Sequence, residues 1–288
     1  MINKENLKKV LNFLEFTHRK EIYTYKNTIL GYTIVVDFAG KGKITYPDGV
    51  IVNDETTSNL TKNENFVVLE CVYRLLKLGY KPECIELEPK WEAPHDIGGG
   101  GKADVLVKDN AGESFLLIEC KTWGKEFDNY WKKTEQDGDQ LFFYAVQKRS
   151  TKYLCMYASN WDNDELVRKS NIISLKDNTA TLESFDEPIS FEKANDKSSL
   201  FAAWNITYGK YSFKNGIFED TCIPYLIEEK GRDISNITEI GHDDIQKKYH
   251  EFTTILRQHN VSGRENAFDK LVNLFLAKIV DEIRNSDK

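Results

Sequence analysis

Apolar residues recur at helical spacing over residues 4–18, at Leu7, Val10, Leu11 and Leu14, which predicts a short amphipathic helix. A stronger helix is predicted from Asn63 to Leu78, after Thr61 and before Gly79, with Val67, Val68, Cys71, Val72, Leu75 and Leu76 apolar. Glu70, Arg74 and Lys77 form a charged stripe along it and are expected toward solvent. Alternating patterns predict strands over Tyr32–Phe38 and Lys43–Tyr46, with further strands over Leu87–Trp91, Lys152–Ala158 and Ile172–Leu175. Trp123 to Asp139 mixes Trp123, Phe127, Tyr130 and Trp131 with lysines, and reads as an amphipathic helix that packs its aromatic side. Helices alternating with strands in this way imply an α/β fold with helices flanking a mixed sheet.

The densest pattern lies between Gly98 and Tyr144. Ala103 to Val107 and Phe115 to Lys121 are β-rich runs separated by Asp109-Asn110-Ala111-Gly112, the signal for a hairpin. With the turn centred between Ala111 and Gly112, Lys108 faces Phe115, Leu106 faces Leu117 and Asp104 faces Glu119. Alternation puts Glu119 and Lys121 on one face and Cys120 on the other. Opposed residues have Cβ atoms roughly 4.5–5.5 Å apart, within reach of one shared cation. Like charges directly opposite destabilise a sheet, so the carboxylate pair calls for a compensating charge. A divalent metal is one answer, with Lys121 beside it to stabilise a phosphate oxygen or help to deprotonate a metal-bound water. The plainer alternative is an isolated Asp104 and an exposed Glu119–Lys121 ion pair.

Asp104 followed after a hairpin by Glu119-Cys120-Lys121 resembles the PD-(D/E)xK nuclease motif, with Ala103 in place of the proline. Gln140-Leu-Phe-Phe-Tyr144 resembles the Q-x-x-x-Y element of type I and related single-chain restriction enzymes, and a helix puts Gln140 and Tyr144 on one face, one turn apart. Asp243 to Glu282 reads as two helices split by His259-Asn260-Val261-Ser262-Gly263, and resembles the start of the helical domain preceding an N6-adenine methyltransferase in fused restriction-modification enzymes.

The resemblance implies a PD-(D/E)xK restriction-endonuclease-like core and a metal-dependent double-stranded DNA endonuclease. Asp104 and Glu119 would hold Mg²⁺, with Mn²⁺ substituting, joined by the Cys120 carbonyl. Glu64, in the first turn of the Asn63 helix, is a further metal-ligand candidate or a charge complementing the helix N-terminus. Lys121 would orient the attacking water or stabilise the pentavalent phosphorus, and Gln140 and Tyr144 would position the DNA backbone or brace the lysine. A downstream methyltransferase and target-recognition domains are expected as partners outside this chain, which then is a fragment or a truncated protein. Alternatives are a non-catalytic scaffold of the same fold, or a nuclease of repair or transposition.

Residues 1–60 read as an N-terminal extension, 61–185 as the nuclease core, 186–240 as a connecting region without assigned role, and 241–288 as the helical segment. The run Gly98 to Gly101 before Lys102 invites a P-loop reading, but Asp96 occupies the first glycine position, Ala103 replaces the hydroxyl residue, and a strand follows. No nucleotide site is expected, and the run reads as a mobile lead-in able to order over DNA or metal.

The formal net charge of −7 argues against a free-standing high-affinity nucleic-acid binder, so the DNA is expected to be held and read elsewhere. Five cysteines without a C-x-x-C pair suit a reducing cytoplasm. No signal peptide and no run of about 18 apolar residues points to a membrane.

Overall fold

Helix α1 (Leu7–Phe13) leads into four strands, β1 (Thr17–Arg19), β2 (Ile22–Asn27), β3 (Tyr32–Asp37) and β4 (Lys43–Thr45), which pair antiparallel in sequence order. The α1 helix is shorter than its periodicity suggests. Glu15 adopts φ +65°, which ends the helical path, and Thr17 already belongs to a strand. Along β3 the alternation is clean, with Tyr32, Ile34 and Val36 buried. The computed structural model describes residues 1–90, 102–214, 216–219, 222–225, 254, 272–273 and 276.

The second sheet is built from β5 (Ile51–Val52), β6 (Ile85–Leu87), β7 (Val105–Lys108), β8 (Ser114–Cys120), β9 (Tyr153–Asp162) and β10 (Glu165–Ser174), in the order β10-β9-β8-β7-β6-β5. It is mixed: β5/β6 and β8/β9 pair parallel, and the other pairs are antiparallel. Helix α2 (Asn63–Lys77) makes the β5–β6 crossover, and α3 (Lys125–Asp137) with α4 (Asp139–Gln147) makes the β8–β9 crossover. The strand expected over Leu87–Trp91 begins earlier, at Ile85, and stops at Leu87, because Glu88 turns to φ +51°. Ile172 and Ile173 belong to a ten-residue strand paired with β9 along its whole length. The architecture is α/β, with two sheets flanked by helices.

Two cores result. One holds α1, the first sheet, α2 and the face of the second sheet carrying Ile118 and Cys120. The other holds the opposite face, carrying Leu106, Leu117 and Met156, under α3, α4 and α6 (Lys197–Ala202). Strand β8 is buried at every residue, as expected of a strand covered on both faces.

Helix α2 is enclosed in the same way. Tyr73 packs against Phe16 and Tyr25 of the N-terminal part, while Glu70 points at the second sheet. The solvent-facing expectation for Glu70 is therefore corrected. It is 1% exposed and accepts hydrogen bonds from Tyr157 Oη at 2.5 Å and Arg168 Nε at 2.6 Å.

At Gly138, φ +81°, the chain leaves α3 and enters α4. A Cβ there would lie 2.9 Å from Phe142, whose ring is buried against Phe201 and Trp204. The stretch after residue 186 thus contributes to the second core through Phe191, Leu200, Ala203 and Trp204. α6 is followed by a π-helical turn, Ala203–Thr207.

Ahead of this stretch, after α5 (Thr179–Glu183) is set by Asn178, Asp177 ties the connection together. Its carboxylate accepts from Ser190 Oγ, the Phe191 and Glu192 N–H groups and Tyr208 Oη. Burial alone raises the Asp177 pKa, but those four donors outweigh it and hold it below the usual carboxylate value. A depressed folded-state pKa gives stability that is present above the unfolded value and lost as pH falls through the folded one. Asp177→Asn is expected to flatten the decline of melting temperature between about pH 5 and pH 2. Parallel acid limbs for wild type and variant would refute this.

The chain divides into two units, residues 1–231 and 232–288. In the second, Thr254, Val272, Asn273 and Leu276 are helical. The rest of the helical pair expected over Asp243 to Glu282 lies outside the described residues, as do Trp91 and Gly98 to Gly101.

Candidate functional site

The hairpin β7–β8 keeps the expected pairing at its functional end by an unexpected route. Lys108 pairs with Ser114 rather than Phe115, so the turn is centred on Ala111 and the pairing beside it is one residue out of the expected register. Val107 then pairs with Leu116, leaving Phe115 as an extra residue in β8. That bulge restores the register, with Leu106 opposite Leu117 and Val105 opposite Ile118. Asp104 lies one residue before this ladder, where its carboxylate accepts the Cys120 N–H and the Glu119 charge acts on it. Phe115 and Leu116 consequently share one core, and Cys120 joins them there, next to Cys71.

Glu119 and Lys121 project from the other face and are 5% and 6% exposed. Lys121 Nζ lies 2.8 Å from Glu119 Oε1 and 2.8 Å from Glu64 Oε1, the latter reaching in from the first turn of α2. The ring of Tyr130, on α3, sits 4.6 Å from the same ammonium. Asp104 is half-buried just before β7, and its Oδ2 accepts the Cys120 N–H at 2.7 Å. Tyr144 is buried on α4 and donates from Oη to the Lys102 carbonyl at 2.9 Å. Gln140 is exposed in the first turn of that helix. The structure therefore gathers Asp104, Glu119, Lys121, Cys120 and Glu64, adds Tyr144 beside them, and leaves Gln140 at the surface.

The electrostatics of the cluster are lopsided. Burial, then the Glu119 charge, pushes the Asp104 carboxyl well above its ordinary range. Burial likewise raises Glu119, against the pull of Lys121. For Lys121 burial acts downward, but Glu119, Asp104 and Glu64 outweigh it and hold the ammonium protonated. Among the described residues, three carboxyl groups share the single Lys121 ammonium. Glu119 Oε2 is buried and has no hydrogen-bond partner among the described residues. A buried polar atom in that state is costly unless something outside the fold meets it.

These features fit a divalent cation, which would take Asp104 and Glu119 and, as the motif suggests, the Cys120 carbonyl. Among the described residues no three His, Cys, Asp or Glu side chains form a ready cage, since Glu64 is turned onto Lys121. Mg²⁺ commonly takes one or two carboxylates and fills its remaining positions with water and phosphate oxygens.

Two residues near the site escaped sequence reasoning. Tyr130 was legible only as an aromatic of a packed helix, although its ring also caps Lys121. Asp139, at φ +38° between α3 and α4, adds its charge to the field at Glu119 and Tyr144. A positive φ at a non-glycine residue carries no sequence signal here.

No protein-family model and no curated protein matches this sequence. Among the described residues no helix is long and apolar enough to cross a membrane.

Proposed function

We propose that this chain is a metal-dependent DNA endonuclease with a PD-(D/E)xK core, working within a restriction-modification enzyme. The observation that carries the reading is the half-buried Asp104 beside the buried Glu119, with Lys121 on the Glu119 face and Glu119 Oε2 unpartnered among the described residues. Mg²⁺ or Mn²⁺ held by Asp104, Glu119 and the Cys120 carbonyl would supply Lewis-acid activation of water and neutralise charge on the scissile phosphodiester.

Lys121 is the group that meets the phosphate. Glu64, Glu119 and the Tyr130 ring fix its ammonium in one place and keep it charged, so it is pre-organised for developing negative charge. Asp104 is aimed by the Cys120 N–H, and Tyr144 secures the backbone two residues before it through the Lys102 carbonyl. The net charge of −7 suits a catalytic module whose DNA is held and read by other domains.

Plasmid nicking with Mg²⁺ or Mn²⁺ tests this directly, comparing wild type with Asp104→Ala and Lys121→Ala. Metal-dependent nicking by wild type is expected to drop at least about a hundredfold in each variant. Should wild type be inert alone, the comparison moves to the full-length enzyme on DNA carrying its target. Wild-type-level cleavage by both variants there would leave only a scaffold role.

A further inference from the structure

Lys102, which follows the glycine run in sequence, is held by side chains from elsewhere in the fold. Lys102 Nζ lies 3.1 Å from Asp54 Oδ2, 2.9 Å from Thr56 Oγ1 and 3.3 Å from Glu88 Oε1. At its other end, the Lys102 carbonyl accepts from Tyr144 Oη at 2.9 Å, and its backbone bridges to Lys90. Ala103 is buried. Two residues on, the Asp104 carbonyl accepts the Glu88 N–H at 3.0 Å and its carboxylate accepts the Cys120 N–H at 2.7 Å.

Glu88 is the residue common to both ends of this short segment. Its N–H holds Asp104, and its carboxylate, also hydrogen-bonded by Thr56, holds Lys102. The arrangement is expensive for the fold. Glu88 sits at φ +51°, is 1% exposed, and keeps Oε2 buried without a hydrogen-bond partner among the described residues. Left-handed backbone at a non-glycine residue and a half-satisfied buried carboxylate are both unfavourable, and such strain concentrates where a site must be held in one geometry.

We propose that Glu88 and Lys102 are positioning residues that clamp the backbone of residues 102–104 so that Asp104 is presented to a cation. This rests on the metal-dependent reading above. Groups that orient a metal ligand without touching the metal typically change affinity by about 10–100-fold when altered.

The test is Mn²⁺ binding to the full chain, followed by the electron paramagnetic resonance signal of free Mn²⁺, with circular dichroism confirming that each sample is folded. Wild type is compared with Asp104→Ala, Glu88→Gln, Lys102→Met and Lys102→Arg. Asp104→Ala is expected to abolish site binding. Glu88→Gln, which is isosteric, and Lys102→Met are expected to weaken it about tenfold or more. Lys102→Arg, which keeps a cation between Asp54 and Glu88, should recover most of that loss. A folded Glu88→Gln protein with wild-type affinity, while Asp104→Ala has lost binding, overturns the clamp and leaves the metal site standing. Wild type indistinguishable from Asp104→Ala overturns the metal-dependent reading, and the clamp with it.

Discussion

Lys121→Met is expected to destabilise the metal-free protein by about 3–5 kcal/mol, while Asp104→Asn raises its stability, and both abolish cleavage. Lys121 pairs with Glu64 and Glu119 and feels the Asp104 charge, and it is 6% exposed. Removing it leaves buried carboxylates facing one another with no counter-charge. Asp104→Asn works in the opposite sense. It keeps an acceptor for the Cys120 N–H and removes one of the crowded negative charges, a gain of about 0.5–2 kcal/mol typical of a relieved functional site. Urea unfolding of the three proteins in chelator measures both signs. Equal destabilisation by the two substitutions would mean that the cluster is an ordinary balanced ion-pair network and not a site short of positive charge.

Arg168→Met is the second large effect, again about 3–5 kcal/mol, because it strands the Glu70 carboxylate inside the fold. Glu70 is 1% exposed, with Arg168 Nε at 2.6 Å and Tyr157 Oη at 2.5 Å. Replacing both partners, Glu70→Leu with Arg168→Met, should recover most of the loss, since a hydrophobic pair of similar volume dispenses with the buried charge. A double-mutant cycle read by thermal or denaturant unfolding gives the coupling directly. Additive single effects would show that the two side chains do not depend on each other. Cleavage should survive in the double variant, because this network lies on the face of β9 and β10 that packs on α2 and not with Lys121.

Much of the site was legible in local pattern. Strict alternation over Leu116 to Lys121 determined that Glu119 and Lys121 share a face and that Cys120 turns the other way, because a pleated strand offers no other choice. The glycine at 79 and the apolar spacing before it determined α2 almost to the residue. The Asp104–Glu119 juxtaposition was legible too, although its route was not. The pairing next to the turn slips by one residue and the Phe115 bulge cancels the slip, a compensation driven by burial of the strand on both faces.

What tertiary structure alone decided are the partners of charges. Glu70, Arg74 and Lys77 have the spacing of a solvated stripe, yet Glu70 is buried because β9 and β10 bring Tyr157 and Arg168 to it from far along the chain. Lys102 has the place of a phosphate-binding lysine, yet Asp54 and Glu88 hold it. Glu64 stood out as an acidic residue at a helix start, but only the packing of α2 beside β8 joins it to Lys121. Periodicity in a sequence reports which face of an element is apolar. Whether a polar face meets water or another charge depends on what the fold lays over it, and that information is spread over residues distant in the chain.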